Sequence, residues 1–383
     1  MGSVPAHKTS TRHLGRGTVV LTVAVAVVAL ALLAGGIVLA TRPTGTGSAS
    51  ATPPPQVVPL DVVGTSPAAN ATNIAPSTAV TVALSTPLAA DSPMPTLSPS
   101  LAGNWSALSP TELQFVSTGP LVPGSQETIT VPGGPNGLVS TQGQHLATTV
   151  SVPFSVAPGS TLRLQQLLAQ LGYLPLSFTP ATQPSSPQQE ADPQQGTFNW
   201  RWPDQPESLT SLWDPDSYNT ITKGAIMSFE DQHGLTTDGL AGPQVWGAVL
   251  AAAESGATDP NTYDYVYVQK TPEPESVTVY QNGVETYETP ANTGVAAAPT
   301  ASGTFPVYLR YQVTTMSGTN PDGSKYVDPG IPWVSYFNGS DALHGFVRGS
   351  YGYPQSDGCV EMPPANAAIV YPKTPIGTLV TVQ

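Results

Sequence analysis

The chain has 383 residues, including 42 prolines and 36 glycines, and only 10% of its residues are charged. This composition favours short strands, turns and linkers over long charged helices, and the length predicts two or three domains. The net charge is −13, and no basic patch or nucleic-acid-binding motif occurs, which argues against nucleic acid as a partner.

The N-terminal region contains an uncharged apolar run from Thr18 to Ala40. At a rise of about 1.5 Å per residue, its 23 residues would cross a bilayer core of about 30 Å. Three basic residues precede the run: Lys8, Arg12 and Arg16. Positive charge stays on the cytoplasmic side. We therefore predict a cytoplasmic tail (1–17), a transmembrane helix (18–40) and a single-pass protein of the cell membrane.

A cleaved signal peptide is the competing interpretation of this run. The apolar region of a signal peptide usually has about 7–15 residues, so the longer run here favours a retained anchor. Both interpretations place the rest of the chain outside the membrane, in the cell wall or periplasmic space. Because the chain has a single cysteine, no disulfide framework can form there.

A Pro/Ser/Thr/Gly linker (41–57) is followed by short alternating strands up to residue 156. Val80–Leu84 and Glu127–Val131 alternate between apolar and polar residues, and Gly/Pro/Asn clusters separate such runs. This spacing predicts a small β-sandwich over 58–156. The SPAAN run and the TVALSTP strand resemble bacterial immunoglobulin-like repeats, for which we expect a spacer role.

From Pro158 onward, apolar residues recur at the spacing of an α-helix. Leucines recur at helical spacing in a first helix: Leu162, Leu164, Leu167, Leu168 and Leu171. A second helix is predicted from Thr220 with a threonine cap, and a third passes through Trp246. The Leu-Gly-Tyr and DGLAGP elements then resemble the three-helix peptidoglycan-binding module of cell-wall enzymes, over 158–255.

This region departs from that module by an insertion at about 178–218, which carries Trp200, Trp202 and Trp213. The tryptophans are candidates either for a sugar or peptide site or for ordinary packing, and packing is favoured.

The C-terminal region (262–383) is again predicted to be β-rich. Alternating strands include Ser276–Tyr280, and Asn282-Gly283 is a strong hairpin signal. It also holds the single cysteine, Cys359, and only one of the five histidines, His344. If Cys359 is a nucleophile within this domain, His344 is its base.

The run LHGFVRGSYGYPQSDGCVEMPPANAAIVYPKTPIGTLVTV resembles the catalytic half of the L,D-transpeptidase (YkuD-like) domain. The resemblance implies acyl transfer on peptidoglycan stem peptides without a metal or other cofactor. Cys359 would attack a tetrapeptide donor and release D-Ala. A side-chain amine of a second stem would then resolve the thioester to a 3→3 cross-link. The family's third catalytic member is a backbone carbonyl, here that of Gly345.

Further site residues follow from the chemistry. A thiol with an ordinary pKa near 8.5 needs a positioned base, and the oxyanion needs donors, for which we expect the N–H groups of Gly358 and Cys359. Ser356 is part of the same motif and is expected to support it. Tyr336 and Phe337 are candidates for one wall of the acyl-donor groove, with core packing equally possible for Phe337.

Two positions depart from the family pattern. Asp357 stands where the family usually has a second histidine, and its carboxylate would disfavour the thiolate, orient His344 or face solvent. Glu361 stands where the family has Arg or Asn. Arg348 is a candidate to supply positive charge to the substrate instead, with an ordinary surface role equally possible.

Several alternatives remain open at this point. Cys359 could be a buried small apolar residue, or a metal could bind His344, Asp357 and Cys359, although their spacing matches no closed zinc site. The substitutions at 357 and 361 make a catalytically impaired wall-binding protein possible. Hydrolysis of the thioester would instead make the chain an L,D-carboxypeptidase.

The predicted fold is multidomain and mainly β: a transmembrane helix, an Ig-like sandwich, a three-helix module and a β-rich catalytic domain.

Overall fold

A computed structural model describes residues 57–383. The predicted tail, the membrane helix and the linker up to residue 56 lie outside the described residues. Within residues 57–383, no helix has the length and apolar character needed to cross a membrane.

The first described region is a β-sandwich with a single core. Its strands are β1 (Val62–Ser66), β2 (Val80–Leu84), β3 (Thr96–Ser98), β4 (Gly103–Ser109), β5 (Glu112–Ser117), β6 (Gln126–Val131) and β7 (Val150–Ser155). They form sheets in the orders β1-β2-β5-β4 and β3-β6-β7. Val82 and Ile129 come from opposite sheets and are both fully buried, as strand alternation requires.

Helices dominate the next region. They are α1 (Thr161–Gln170), α2 (Glu207–Thr210), α3 (Thr220–Gln232) and α4 (Pro243–Ser255). α3 begins at Thr220 as predicted, but its cap is Asn219, whose side chain accepts the Thr222 N–H at 2.9 Å. Leucines of α1 and aromatic residues of α3 and α4 share one core.

The insertion forms a two-stranded ribbon of β8 (Leu176–Pro180) and β9 (Gly196–Trp200). Trp200 and Trp213 are half-buried against the helical core, and the ring centroid of Trp213 lies 5.1 Å from that of Phe198. Trp202 packs on Tyr263 at 6.3 Å. All three tryptophans thus make packing contacts, the alternative favoured from the sequence.

The C-terminal region has two sheets. Its strands are β10 (Asp264–Gln269), β11 (Ser276–Gln281), β12 (Val284–Pro290), β13 (Gly303–Pro306), β14 (Leu309–Thr319), β15 (Lys325–Asn338), β16 (Asp341–Gly345), β17 (Val360–Met362) and β18 (Leu379–Val382). The sheet orders are β12-β11-β10-β18-β13 and β14-β15-β16-β17. Helix α5 (Pro364–Val370) packs on β15 and β16.

Helix α3 lies directly against the segment that leads into β18. A Cβ on Gly224 would come within 2.6 Å of the Gly377 carbonyl oxygen, so only glycine allows this approach. The Ser228 Oγ donates to the Ile376 carbonyl oxygen at 3.1 Å. The helical region is therefore packed against the C-terminal region next to β18 rather than connected to it only by a linker.

Candidate active site

The site lies where strands β16 and β17 run parallel. Their register pairs Leu343 with Val360 and His344 with Glu361. Cys359 immediately precedes β17, so the pairing brings the turn that carries the thiol alongside the strand that carries the imidazole. Both side chains line one cavity of about 350 Å³.

His344 is buried, with only 3% of its surface exposed. Its Nδ1 lies 3.2 Å from the Gly345 carbonyl oxygen. A carbonyl only accepts, so this hydrogen bond requires a proton on Nδ1 and leaves the Nε2 lone pair of the neutral ring free to take a proton. Burial lowers the pKa of His344, which keeps the ring neutral at neutral pH. The geometry fits a general base held by a backbone carbonyl.

Cys359 is half-buried, and its thiol donates to the Ser340 carbonyl oxygen at 3.5 Å. Burial raises the pKa of the thiol to about 12. The Ala342 N–H opposes this rise, and negative charges on Asp341, Glu361 and Asp357 add to it. The thiol is therefore protonated at neutral pH and needs a base to become a nucleophile.

The turn before Cys359 is closed by Ser356. The Ser356 Oγ donates to the Cys359 carbonyl oxygen at 2.5 Å and accepts the Gly358 N–H at 3.2 Å. Gly358 has φ +119°, and a Cβ there would lie 2.8 Å from the Asp341 Oδ1. The Gly358 N–H, one of the two predicted oxyanion donors, is engaged within this turn. The Cys359 N–H remains the predicted donor.

Arg348, the candidate for positive charge toward the substrate, is paired within the domain. Its Nε and Nη2 each lie 2.7 Å from a carboxylate oxygen of Glu361. The guanidinium also stacks on Phe346, 4.6 Å from the ring centroid. Arg348 lines the cavity, but the carboxylate that replaces the family's Arg or Asn neutralises it.

Asp357 is exposed and lies at the rim of the cavity. It makes no hydrogen bond or ion pair within residues 57–383, so it does not orient His344 through a direct contact. Its charge is one cause of the raised pKa of Cys359, the like-charge effect expected from the sequence.

The two predicted wall residues face opposite sides of β15. Tyr336 is half-buried beside Ala342 and Cys359, and its ring is edge-on to that of Tyr311 at 6.4 Å. Phe337 is 3% exposed and lies in the core under the sheet, which is the packing alternative left open from the sequence. Successive side chains of a strand point to opposite faces, which allows only one of the two to reach the groove.

The long hairpin of β14 and β15 supplies cavity residues that the sequence interpretation missed. They are Met316, Asn320, Tyr326, Asp328 and Ile331. The turn signal Asp322-Gly323 between two alternating runs would have indicated this hairpin. Burial raises the pKa of Tyr326, and negative charge on Cys359, Asp357 and Asp328 adds to the rise.

The alternative of a metal site finds no support in the part of the chain that the structure describes. No group of three or more His, Cys, Asp or Glu side chains is arranged there to hold a metal ion.

Two regions of the chain match known protein families. Residues 263–382 match the family model of the L,D-transpeptidase catalytic domain, and residues 56–156 match that of a bacterial Ig-like domain. The chain therefore carries these two domains, and its mainly β, multidomain character is confirmed. No curated protein matches the chain.

Several solved structures are similar. An L,D-transpeptidase from Mycobacterium smegmatis is 14% identical, with 85% of this chain and 100% of that chain covered and a TM-score of 0.29. L,D-transpeptidase 3 from Mycobacterium tuberculosis is 12% identical, with 84% and 98% covered and a TM-score of 0.29. The catalytic domain of the E. faecium L,D-transpeptidase is 25% identical, with 31% and 95% covered and a TM-score of 0.29.

Proposed function

We propose that this chain is a cysteine-dependent L,D-transpeptidase that forms 3→3 cross-links in peptidoglycan. One observation carries the proposal. Cys359 and His344 line one cavity, and the Gly345 carbonyl holds the imidazole with Nε2 as the acceptor. The match of residues 263–382 to the L,D-transpeptidase catalytic domain supports the same reaction.

Acylation begins with the protonated thiol. The Cys359 S–H leaves the Ser340 carbonyl oxygen and transfers its proton to His344 Nε2 as the sulfur attacks the scissile carbonyl of the tetrapeptide. The imidazolium then protonates the departing D-Ala nitrogen, so the C–N bond breaks and a thioester remains on Cys359. Because the pKa of the thiol is about 12, proton transfer has to accompany attack rather than precede it.

Transfer completes the cycle. The side-chain amine of a second stem attacks the thioester, the C–S bond breaks, and the proton returns to sulfur through His344. The Cys359 N–H supports the oxyanion in both halves of the reaction. The Glu361 carboxylate holds Arg348 against the cavity wall but leaves it no net charge for the substrate.

In this proposal the remaining regions position the C-terminal domain in the cell wall. Residues 18–40 anchor the chain in the membrane with the N-terminus inside, which is supported by their uncharged apolar sequence and the basic residues before them. The Ig-like domain acts as a spacer. The helical region at 158–255 binds peptidoglycan, which is supported by its DGLAGP and Leu-Gly-Tyr elements.

The test is acylation of Cys359. Full-length protein in detergent is incubated with a carbapenem or a tetrapeptide donor, followed by intact mass and peptide mapping. We expect one adduct, located on Cys359 and absent from the Cys359→Ser variant. Lack of an adduct on the wild type would overturn the proposal.

One observation favours a second candidate, a catalytically impaired wall-binding protein. The carboxylates of Asp341, Glu361 and Asp357 all raise the pKa of the nucleophile. The acylation experiment separates the two functions, because the impaired protein forms no adduct. Product analysis with an added amine separates transpeptidation from the hydrolysis of an L,D-carboxypeptidase.

A further inference from the structure

A second cavity, of about 240 Å³, lies where the β-sandwich meets the helical region. It shares no lining residue with the cavity around Cys359. The β-sandwich contributes Pro123 and Gly124, and a Cβ on Gly124 would lie 3.5 Å from the Pro243 Cγ at the start of α4. None of the described residues that line this junction cavity carries a charge.

Trp246 presents a free hydrogen-bond donor to the junction cavity. Its side chain lines the cavity and is only 2% exposed. The Nε1–H, its one polar group, donates to no residue of the range 57–383, yet it is not sealed from solvent as the unpartnered Trp105 Nε1 is. The edge of the indole that bears Nε1 faces Gly159, where a Cβ would lie 2.7 Å from Nε1. Because Gly159 also lines the cavity, this buried donor opens into it.

Helix α4 begins at the same cavity, through Pro243 in its first turn. Its N-cap is Gly242, which offers no side chain to the first N–H groups. The backbone N–H groups of Gln244 and Val245 have no partner among the described residues. Unpaired N–H groups and the helix dipole give this end of the helix a positive potential without a cationic side chain.

Tyr218 adds a hydroxyl donor to the junction cavity. The hydroxyl makes no hydrogen bond within residues 57–383. Burial raises the pKa of Tyr218 to about 12, and negative charge on Glu230 and Asp238 adds to the rise, so the hydroxyl keeps its proton at neutral pH. The walls beside these donors are apolar and include Pro123, Pro158 and Leu164. A ligand that satisfies such a site carries a negatively charged acceptor on a small apolar body.

We propose that the junction cavity binds the terminal carboxylate of a peptide that ends in a small apolar residue. The carboxylate accepts from Trp246 Nε1, from the Tyr218 hydroxyl and from the first turn of α4, and the apolar side chain lies against the proline walls. This inference rests on the proposed function, because it names the part of a peptidoglycan stem that the helical region binds. No covalent step occurs at this site.

The test follows the indole N–H signals of full-length protein labelled with ¹⁵N-tryptophan in detergent. The chain has six tryptophans, and Trp246→Phe identifies the signal of Trp246. The probe is N-acetyl-D-alanine, and its matched control is N-acetyl-D-alanine amide, which lacks the carboxylate. We expect the acid to shift the Trp246 signal and leave the other five unchanged. The amide should bind at least about tenfold more weakly, because a hydrogen bond to a charged group is stronger than one to a neutral group. An unmoved Trp246 signal, or an equal shift with the amide, would overturn the inference.

Variants are compared by calorimetric titration with N-acetyl-D-alanine. Trp246→Phe and Tyr218→Phe should each weaken binding by about tenfold, because each removes one donor to the carboxylate. Tyr218 is 44% exposed, so its variant keeps the test valid if Trp246→Phe fails to fold. Trp105→Phe removes an indole N–H that is sealed inside the β-sandwich and should bind as the wild type does. Wild-type affinity in both Trp246→Phe and Tyr218→Phe would contradict the assigned donors.

Binding to insoluble peptidoglycan is measured separately by co-sedimentation of the full-length protein. A wild type that sediments with peptidoglycan but does not bind N-acetyl-D-alanine would overturn this inference alone. A wild type that does not sediment would overturn the proposed wall binding of the helical region and the assignment of this site to a stem peptide. Acylation of Cys359 tests the catalytic proposal independently of both results.

Discussion

Arg348 and Glu361 join the loop after β16 to strand β17 through a bidentate ion pair, with both N–O distances at 2.7 Å. The Glu361 side chain is 6% exposed and that of Arg348 is 31% exposed. The guanidinium also reaches the Gln355 carbonyl oxygen at 3.4 Å. This pair therefore fixes the loop that precedes the nucleophile and removes a charge that substrate would otherwise meet.

Arg348→Ala should destabilise the catalytic domain by about 3 kcal/mol, because it leaves a buried carboxylate without its partner. Denaturant unfolding followed by tryptophan fluorescence measures the loss. Arg348→Lys keeps the charge but not the two-pronged geometry and should lie between the wild type and the alanine variant. Equal unfolding midpoints for all three proteins would show that the pair contributes no stability.

His344→Gln should slow acylation of Cys359 by about 10²- to 10⁴-fold, the usual contribution of a positioned base. The measurement is the rate of adduct formation with a carbapenem. His233→Gln is the control, because that imidazole lies at the end of α3 and its Nδ1 is 2.8 Å from the Phe229 carbonyl oxygen. A fast His344→Gln variant would remove the general base from the proposed mechanism.

Alkylation of Cys359 by iodoacetamide should have no plateau between pH 7 and pH 10. The pKa of the thiol is raised to about 12, so the thiolate fraction increases about tenfold with each pH unit across this range. Unfolded protein provides the reference, with a half-maximal rate at about pH 8.5. Asp357→Asn should increase the rate, because one negative charge is removed. A plateau near pH 8 in the folded wild type would contradict the burial of the thiol.

Gly358→Ala should reduce acylation at least tenfold and cost about 1–3 kcal/mol of stability. The residue has φ +119°, and the added Cβ would lie 2.8 Å from the Asp341 Oδ1. Gly349→Ala is the matched control in the neighbouring loop, where a Cβ would meet nothing within 4 Å. Similar activity and thermal stability for both variants would show that the turn does not depend on glycine.

Glu230→Gln should change the pH dependence of thermal unfolding. Burial raises the pKa of Glu230 to about 7, although its Oε2 accepts the Gly239 N–H at 2.8 Å. The pKa of Glu230 is higher in the folded state than in the unfolded state, so the protonated carboxyl group stabilises the fold. This stabilisation is complete below about pH 4.5 and is lost as the pH rises through 7.

The loss from Glu230 is at most about 3 to 4 kcal/mol, at about 1.4 kcal/mol per pKa unit for the rise from 4.5 to about 7. Wild type should therefore lose more stability than Glu230→Gln between pH 4.5 and pH 8. The exposed Glu254→Gln variant should follow the wild type. If the unfolding temperatures of the wild type and Glu230→Gln changed in parallel with pH, the raised pKa of Glu230 would be contradicted.

The sequence was sufficient to associate Cys359 with His344, because the C-terminal region contains no other cysteine or histidine. The structure brings both to one cavity, and their catalytic roles stay predictions. The opposite faces of Tyr336 and Phe337 were also predictable in principle, because side chains alternate along a strand. Which of the two reaches the groove depends on the pairing of β15 with β16, a long-range contact that local sequence does not specify.

Other features depend on interactions between segments far apart in the chain. Asp328 reaches the cavity only because β14 and β15 form a long hairpin beside β16. The pairing of Arg348 with Glu361 joins residues 13 positions apart across two elements. The engagement of the Gly358 N–H by Ser356 is local, but it depends on the positive φ of one glycine in a tight turn. Sequence pattern identifies residue types near a site more readily than their partners.

Strand β18 lies inside its sheet, parallel to β10 on one side and antiparallel to β13 on the other. Its residues Leu379–Val382 follow nearly all of the domain in the chain. During synthesis, β10 and β13 are complete long before the strand that joins them exists. The Ig-like domain can fold as soon as it emerges, whereas the five-stranded sheet of the C-terminal region is incomplete until Val382 has been added. Removal of Leu379–Val382 would therefore leave β10 and β13 without the strand that joins them.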